Sequence, residues 1–288
     1  MILVDLNQVM ISNIMMQPGI AKSVDENIVR HMVVNSLRGY NVKFGKDYGE
    51  MVICSDDKNY WRRDVFPYYK ASRKKDRAAS PYNWALIFET LHKLKDELKE
   101  HFPYKVLQSE GAEADDIIGT LCMKNGSRGL RTHDTQKILI LSSDKDFMQL
   151  QKYVNVEQYS PMQKRFLKPE FGAKQYLREH IIRGDRGDGI PNILSNDDVF
   201  VTESRQSPVN KKKLNTWLGQ DPEEFCNTDM LRNYSRNSLL IDLDKIPEAL
   251  QADIINQYET APKRDRSKLF NYFMKNRMKQ LMEHLQEF

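Results

Sequence analysis

Three short apolar runs of strand length stand out along the chain: ILVDL (residues 2–6), EMVIC (50–54) and KILILSS (137–143), with YKVL (104–107) a weaker fourth. Runs this short suit buried strands better than helices. Between them the apolar residues recur at helical spacing. Residues 25–38 place Ile28, Met32 and Val33 on one stripe. Ser80-Pro81 reads as an N-cap with proline at the first helical position, and Trp84, Ile87, Leu91, Leu94 and Leu98 then share a face. A third helix is expected to open near Glu113 and to bury Ile117, Ile118 and Leu121. Strands alternating with helices predict an α/β fold class, with a central, mostly parallel sheet flanked by helices.

Past Tyr159 the pattern changes. GAKQYLREHIIRG (172–184) is helical, and Ser267 to Phe288 reads as an amphipathic helix or pair of helices. Residues 190–235, rich in Asn, Asp, Ser and Pro, give no traceable period. The expected organisation is an α/β domain over residues 1–160 and a smaller, mainly helical C-terminal lobe over 161–288. With 288 residues, 29% of them charged, and a mean hydropathy of -0.66, the chain can bury a sizeable core and carries no apolar run near the roughly 20 residues a membrane span needs. The first residues lack a basic stretch followed by an apolar one, so no signal peptide is expected. Three widely spaced cysteines without a CxxC exclude a zinc ribbon and argue for a reducing compartment. A cytoplasmic monomer without membrane attachment is expected.

Net charge is only +4, but it is unevenly placed. Residues 58–77 carry Lys58, Arg62, Arg63, Lys70, Arg73, Lys74, Lys75 and Arg77 against Asp64 and Asp76 alone. Most charge runs are solvated faces. This one also holds Tyr60, Trp61, Phe66, Tyr68 and Tyr69, and alternating cations and rings suit the phosphates and bases of a single-stranded nucleic acid. The free segment is expected to be mobile, its rings ordering when bases stack on them.

The acids carry the chemistry. Asp5 closes the first strand, Asp56 follows the second, and Asp144 and Asp146 follow the third. In an open parallel sheet, side chains just past the carboxyl ends of the strands converge on one crevice. Glu113, Asp115 and Asp116 open a helix, and Asp185 and Asp188 lie three apart in a glycine-rich turn. One aspartate after a strand is usually a cap. Nine converging carboxylates repel one another by several kcal/mol, roughly, unless cations neutralise them. All-oxygen coordination selects Mg²⁺ or Mn²⁺ over zinc, and no histidine is paired with a cysteine or an acid at zinc spacing. An acid-rich crevice beside a basic, aromatic segment implies metal-assisted attack on a phosphodiester.

In order and spacing, Asp5, Asp56, EADD (113–116), SSDKDF (142–147) and GDRGD (184–188) resemble the flap endonuclease or 5′-nuclease superfamily. YWRRD (60–64) and YYKASRKK (68–75) resemble its arch, placed here at 58–80. SPMQKRF (160–166) and the terminal Glu-Phe are similar to the ribonuclease H branch found in T-even-type bacteriophages. The resemblance implies that Asp5, Asp56, Glu113 and Asp115 shape a first metal site and that Asp144 lies between two sites. Asp146, Asp185 and Asp188 then shape the second, with Asp116 nearby. Two Mg²⁺ ions are implied, with Mn²⁺ able to substitute. Lys70 and Arg73 match the residues that meet the scissile phosphate, and Arg62, Arg63, Tyr69, Lys74, Lys75 and Arg77 join them in contacting nucleic acid. The implied substrates are DNA and RNA·DNA duplexes and 5′ flaps. The implied task is removal of RNA primers from lagging-strand fragments, with a single-stranded-DNA-binding protein and a sliding clamp as partners.

Two departures qualify the match. Gly189 stands where the family motif has Asn, and ILSNDDVF replaces a glycine-rich hairpin, leaving Lys211, Lys212 and Lys213 to hold backbone phosphates. Two other readings are a small PIN-like ribonuclease for single-stranded RNA and a non-catalytic branched-DNA-binding protein. The arch and C-terminal lobe speak against the first, and the nine acids against the second. No GxxxxGK[ST] marks an ATP site, and the two RGD tripeptides read as chance.

Overall fold

The computed structural model of the chain describes residues 1–16, 19, 24–130 and 135–288. Six strands form one sheet in the order β3-β2-β1-β4-β5-β6. They are β1 (Ile2–Asp5), β2 (Met51–Cys54), β3 (Lys105–Leu107), β4 (Ile138–Leu141), β5 (Val156–Ser160) and β6 (Arg165–Leu167). All neighbours pair in parallel except β5 and β6, with Ile2 opposite Met51 on one side and Leu139 on the other. The four strands expected from the apolar runs are therefore present, and the β5–β6 hairpin is added.

The two-residue alternation of a strand divides the core cleanly. Ile2, Val4, Ile53, Leu139 and Leu141 face one apolar layer, and Leu3, Val52, Cys54, Ile138 and Ile140 face the other. Helices α1 (Leu6–Met15), α2 (Glu26–Tyr48) and α5 (Trp84–His101) cover the first face. Between β2 and α5 lie two shorter helices, α3 (Trp61–Val65) and α4 (Ser72–Ala79), and α6 (Ala114–Asn125) covers the second face.

Two helix details differ from expectation. Asn83, not Ser80, caps α5: its Oδ1 accepts from the Leu86 amide, while Ser80 and Pro81 form the turn before it. In α2 the buried stripe is Val29, Val33, Val34 and Leu37, whose side chains face the first core layer, leaving Ile28 45% exposed.

Residue 160 falls at the end of β5, so the sheet continues through β6 to Leu167. Beyond it come α7 (Ala173–Arg183), α8 (Lys211–Trp217), α9 (Pro222–Phe225), α10 (Thr228–Ile241) and α11 (Glu248–Thr260). The chain ends in α12 (Leu269–Lys275) and α13 (Lys279–Met282). Leu269, Tyr272, Phe273, Leu281 and Phe288 return to pack in the first core layer, with the Phe102 ring 5.7 Å from that of Phe288. No helix of the described residues is long and apolar enough to cross a membrane.

The connections run outward from β1 through β2 to β3, then return to β4 on the other side of β1. That reversal opens a crevice beyond the carboxyl ends of β1 and β4, where an open α/β sheet binds its ligand. Asp5 and Ser142–Asp144 lie at that point.

Candidate active site

Each carboxylate is set by a local backbone feature. Asp5 caps α1, its Oδ1 accepting from the Gln8 amide at 3.0 Å while Oδ2 accepts from Ser142 Oγ at 3.0 Å. Asp56 accepts from the Ala114 amide at 2.8 Å and from Asn7 Nδ2. Glu113 caps α6 and closes a capping box with Asp116. Asp144 caps a 3₁₀ turn (Lys145–Lys152), its Oδ1 accepting from the Asp146 amide at 3.0 Å. Asp185 Oδ1 accepts from the Gly187 and Asp188 amides at 2.7 and 3.2 Å.

The crevice is crowded with like charge. Burial, and then the Asp56 and Asp144 charges, push the Asp5 carboxyl up to about 7. Burial and the neighbouring Asp144 push Asp146 up to about 8. Burial also raises Asp56, Asp115 and Asp144, with Asp144 adding to Asp115 and Asp188 and Asp185 adding to Asp144. Eight of the nine expected acids therefore feel one another across the crevice. Asp116 does not line it. It is fully buried behind Glu113, where Trp61 Nε1 and the Arg62 guanidinium meet it at 3.2 and 3.0 Å.

The basic segment is folded, against the expectation of a mobile loop. Phe66 and Tyr69 are buried against Ile181, Ile190, Leu240 and Ile241, so their rings are spent on tertiary packing and have no face for a base. Arg62 is a correction of the same kind. Its guanidinium is 3% exposed, donating Nε to the Leu240 carbonyl at 2.8 Å and NH1 to Glu113 and Asp116, which leaves no fork for phosphate. The Tyr69 hydroxyl donates to Glu113 at 2.7 Å and lies 3.0 Å from Asp188.

Lys70 is placed at the centre. Its ammonium bonds Glu113 and lies 3.4 Å from Asp188, and although burial opposes the charge, those acids hold its pKa well above the usual lysine value. Burial would raise Glu113, but Lys70 and Arg62 hold it below the ordinary range. Lys70 has φ 55, a left-handed conformation uncommon outside glycine, fixed by its amide donating to the Asp188 carbonyl at 2.7 Å. The same contact explains Gly189, which has φ 72 and would put a Cβ 2.9 Å from the Tyr68 carbonyl oxygen. Arg73 pairs with Asp188 at 2.5 Å and donates to the Gly187 carbonyl. Arg63, Lys74 and Lys75 are exposed, Lys75 pairing with Glu203, and Arg77 lies over the Phe88 ring.

Two residues escaped the sequence reading. Lys145 Nζ lies 2.8 Å from Asp185, and His180 Nε2 lies 3.0 Å from the same carboxylate. Burial raises Asp185, but His180 and Lys145 outweigh it and hold the carboxyl well below the usual range. The expectation that no histidine pairs with an acid fails here. His180 precedes Asp185 by five residues in HIIRGD, on the last turn of α7, and that spacing was the available signal.

A division follows. Glu113, Asp185 and Asp188 touch lysine or arginine, whereas among the described residues no lysine or arginine lies at salt-bridge distance from Asp5, Asp56, Asp115, Asp144 or Asp146. Asp146 Oδ1 is buried without a hydrogen-bond partner. Converging hard oxygen donors with raised pKa values fit divalent cations, which would supply the missing positive charge.

Comparison with known proteins agrees with this geometry. The family described as 5′-3′ exonuclease, N-terminal resolvase-like domain, matches residues 3–177, and that described as T4 RNase H, C terminal, matches residues 173–288. The chain is 34% identical to the ribonuclease H of Enterobacteria phage T4, over 99% of this chain and 95% of that protein. It is 28% identical to a 5′-3′ exonuclease of Buchnera aphidicola over 50% of this chain, spanning 47% of that protein's length. In fold it resembles the bacteriophage T5 flap endonuclease solved as a pseudo-enzyme–product complex with DNA and metal ions, with a TM-score of 0.58, 18% identity, and coverage of 90% of this chain and 99% of that one. A switch-point crevice lined by eight acids, on a chain matched from end to end, places this protein in the 5′-3′ exonuclease and flap endonuclease family as a 5′-nuclease of the T4 ribonuclease H type.

Proposed function

We propose that this nuclease hydrolyses phosphodiesters at and near the 5′ ends of DNA and RNA·DNA duplexes, cuts 5′ flaps, and so removes RNA primers from lagging-strand fragments. The observation that carries the reading is the group of five carboxylates left without a lysine or arginine contact in one crevice. Asp5, Asp56, Glu113 and Asp115 would surround a first Mg²⁺, Asp146, Asp185 and Asp188 a second, and Asp144 would lie between them, with Mn²⁺ able to replace either. When bound, such ions activate a water and stabilise the leaving 3′ oxygen. Proteins of this fold have been solved with metal ions and with DNA and metal ions, which supports a role for metal and DNA in the crevice.

The chain's own groups do the rest. Lys70 and Arg73 lie on the arch side of the crevice, and an entering phosphate would compete with Glu113 and Asp188 for their cations. Once on phosphate, they stabilise the charge developing at the scissile group. Arg63, Lys74 and Lys75, on exposed arch positions, and Lys211, Lys212 and Lys213, on the exposed first turn of α8, would meet backbone phosphates farther out. Asp116, Arg62 and Tyr69 hold Glu113 from behind. The protein works as a monomer, with a single-stranded-DNA-binding protein and a sliding clamp as its partners at the fork.

The test is polarity. On nicked and flapped duplexes labelled at one end, Mg²⁺ should release a short 5′-labelled product and leave a nearly full-length 3′-labelled strand, and EDTA should stop both. Progressive shortening from the 3′ end refutes the reading.

A further inference from the structure

His180 is 7% exposed, and its two ring nitrogens have different surroundings. Nε2 lies 3.0 Å from Asp185 Oδ2, a good hydrogen bond. Nδ1 is buried, has no hydrogen-bond partner, and faces Asp146 Oδ1, itself unpartnered, at 3.5 Å. That separation is long for an N–H···O bond. It does suit two atoms sharing one ion. Ligands held about 2.1 Å from a cation lie roughly 3.0 Å apart at a right angle and about 4.2 Å apart when opposed.

Asp185, by contrast, has little left to offer a metal. Its Oδ2 takes His180 Nε2 and Lys145 Nζ, and its Oδ1 takes the amides of Gly187 and Asp188. A metal-bound histidine commonly donates its other N–H to a carboxylate, which fixes ring orientation and tautomer. Asp185, His180 and Asp146 stand in that order, and a ligand atom from each lies within 4.8 Å of the others.

We propose that the second metal position is a mixed nitrogen–oxygen site in which Asp146 and Nδ1 of His180 ligate the cation and Asp185 orients the imidazole, so that this position takes Mn²⁺ in preference to Mg²⁺. The proposal rests on the two-metal reading above and changes its donor set. Imidazole nitrogen is accepted better by first-row transition ions, Mn²⁺ being the weakest binder among them, than by Mg²⁺, whose usual partners are carboxylate, carbonyl and water. Lys145, on the outer side of Asp185, keeps that carboxylate charged and turned toward the ring.

The test is pulsed EPR of Mn²⁺ bound to the full-length protein, prepared unlabelled, with ¹⁵N-histidine, and as His180→Gln. The expected result is a ¹⁴N modulation that converts to the ¹⁵N pattern on labelling and disappears in His180→Gln. Mn²⁺ affinity should fall about tenfold or more in that variant while Mg²⁺ affinity moves little, and Asp185→Asn should weaken Mn²⁺ about 10- to 100-fold. The labelled wild-type protein shows whether any of the six histidines binds the ion, and His180→Asn is a second variant should His180→Gln fold poorly. In Asp5→Asn, which alters only the first position, the nitrogen-coupled ion should persist. Bound Mn²⁺ without nitrogen modulation, or with modulation that survives His180→Gln, overturns the proposal and leaves the two-metal reading standing. No bound Mn²⁺ in any preparation overturns both.

Discussion

Arg62 gives the sharpest contrast between what its sequence context suggests and what its surroundings do. In a run of cations it reads as a phosphate contact, yet its side chain is 3% exposed between Glu113 and Asp116, themselves 2% and 0% exposed. Arg62→Met keeps most of the stem volume and removes the charge, leaving the Leu240 carbonyl without that donor, Asp116 without a cation and Glu113 with one cation fewer. Breaking a buried pair from one side costs about 3–5 kcal/mol. At about 2–4 °C per kcal/mol for a chain approaching this size, Tm should drop by roughly 6 to 20 °C. The defect should shrink as pH falls, because protonation relieves Asp116 of its unpaired charge and eases the crowding on Glu113. Arg62→Lys should recover only part of the loss, since one ammonium cannot span both acids and the carbonyl as the planar fork does. The assay is calorimetric melting of the metal-free protein beside Kd for a flap at several salt concentrations. A phosphate contact predicts the reverse pattern: unchanged Tm, weaker binding, and a salt slope shallower by about one. That pattern would refute the assignment of Arg62 as a structural cation.

Asp5, raised to about 7, and Asp146, raised to about 8, bind protons more tightly folded than unfolded, where aspartate titrates near about 3.9. Their contribution to stability is therefore lost as pH rises from about 4 through 8, so the Tm measured in EDTA should fall between pH 5 and 8 and Mg²⁺ should restore more at pH 8 than at 5.5; a metal-free Tm that rises over that window contradicts the crowding argument. Lys70→Ala and Arg73→Ala should lower single-turnover rates at saturating flap, whereas Lys74→Ala and Lys75→Ala should mainly raise Kd, and equal small effects across all four would count against an arch over the site.

The sheet was legible because β1, β2 and β4 bury both faces and so read as continuous apolar runs. The acids were legible because strand-end positions and the spacing of EADD, SSDKDF and GDRGD pointed the same way. Direction was not legible. A tally of cations in residues 58–77 cannot tell that Arg62 turns inward to α6 and α10 while Lys74 turns out. Nor can ring content tell that Tyr69 donates to Glu113. His180 was missed for a related reason: half its environment, Asp146, comes from the 3₁₀ turn that follows β4, distant in sequence. The return of Phe273 and Phe288 to the first core layer depends on chain reversal over more than two hundred residues, which no local period encodes.

The placement of the protein's own cations shows what kind of site this is. Arg62 behind Glu113 and Lys70 before it steady that carboxylate, and Lys145 beyond Asp185 leaves the latter among the most firmly ionised groups in the crevice. The acids left uncompensated, from Asp5 to Asp146, are the ones burial and mutual repulsion press toward neutrality. Without a cation, that crowding opposes folding at neutral pH. In the proposed two-metal site, two divalent cations would cancel most of the charge of those five carboxylates, and a phosphodiester could then approach. Asp5→Asn separates the two roles: it should raise the metal-free Tm at pH 8 by removing a crowded charge, and should lower Mg²⁺-supported turnover. Asp185→Asn should instead lower Tm, because Lys145 and His180 lose their partner. If both substitutions shift stability in the same direction, the division between positioning and ligating acids is wrong.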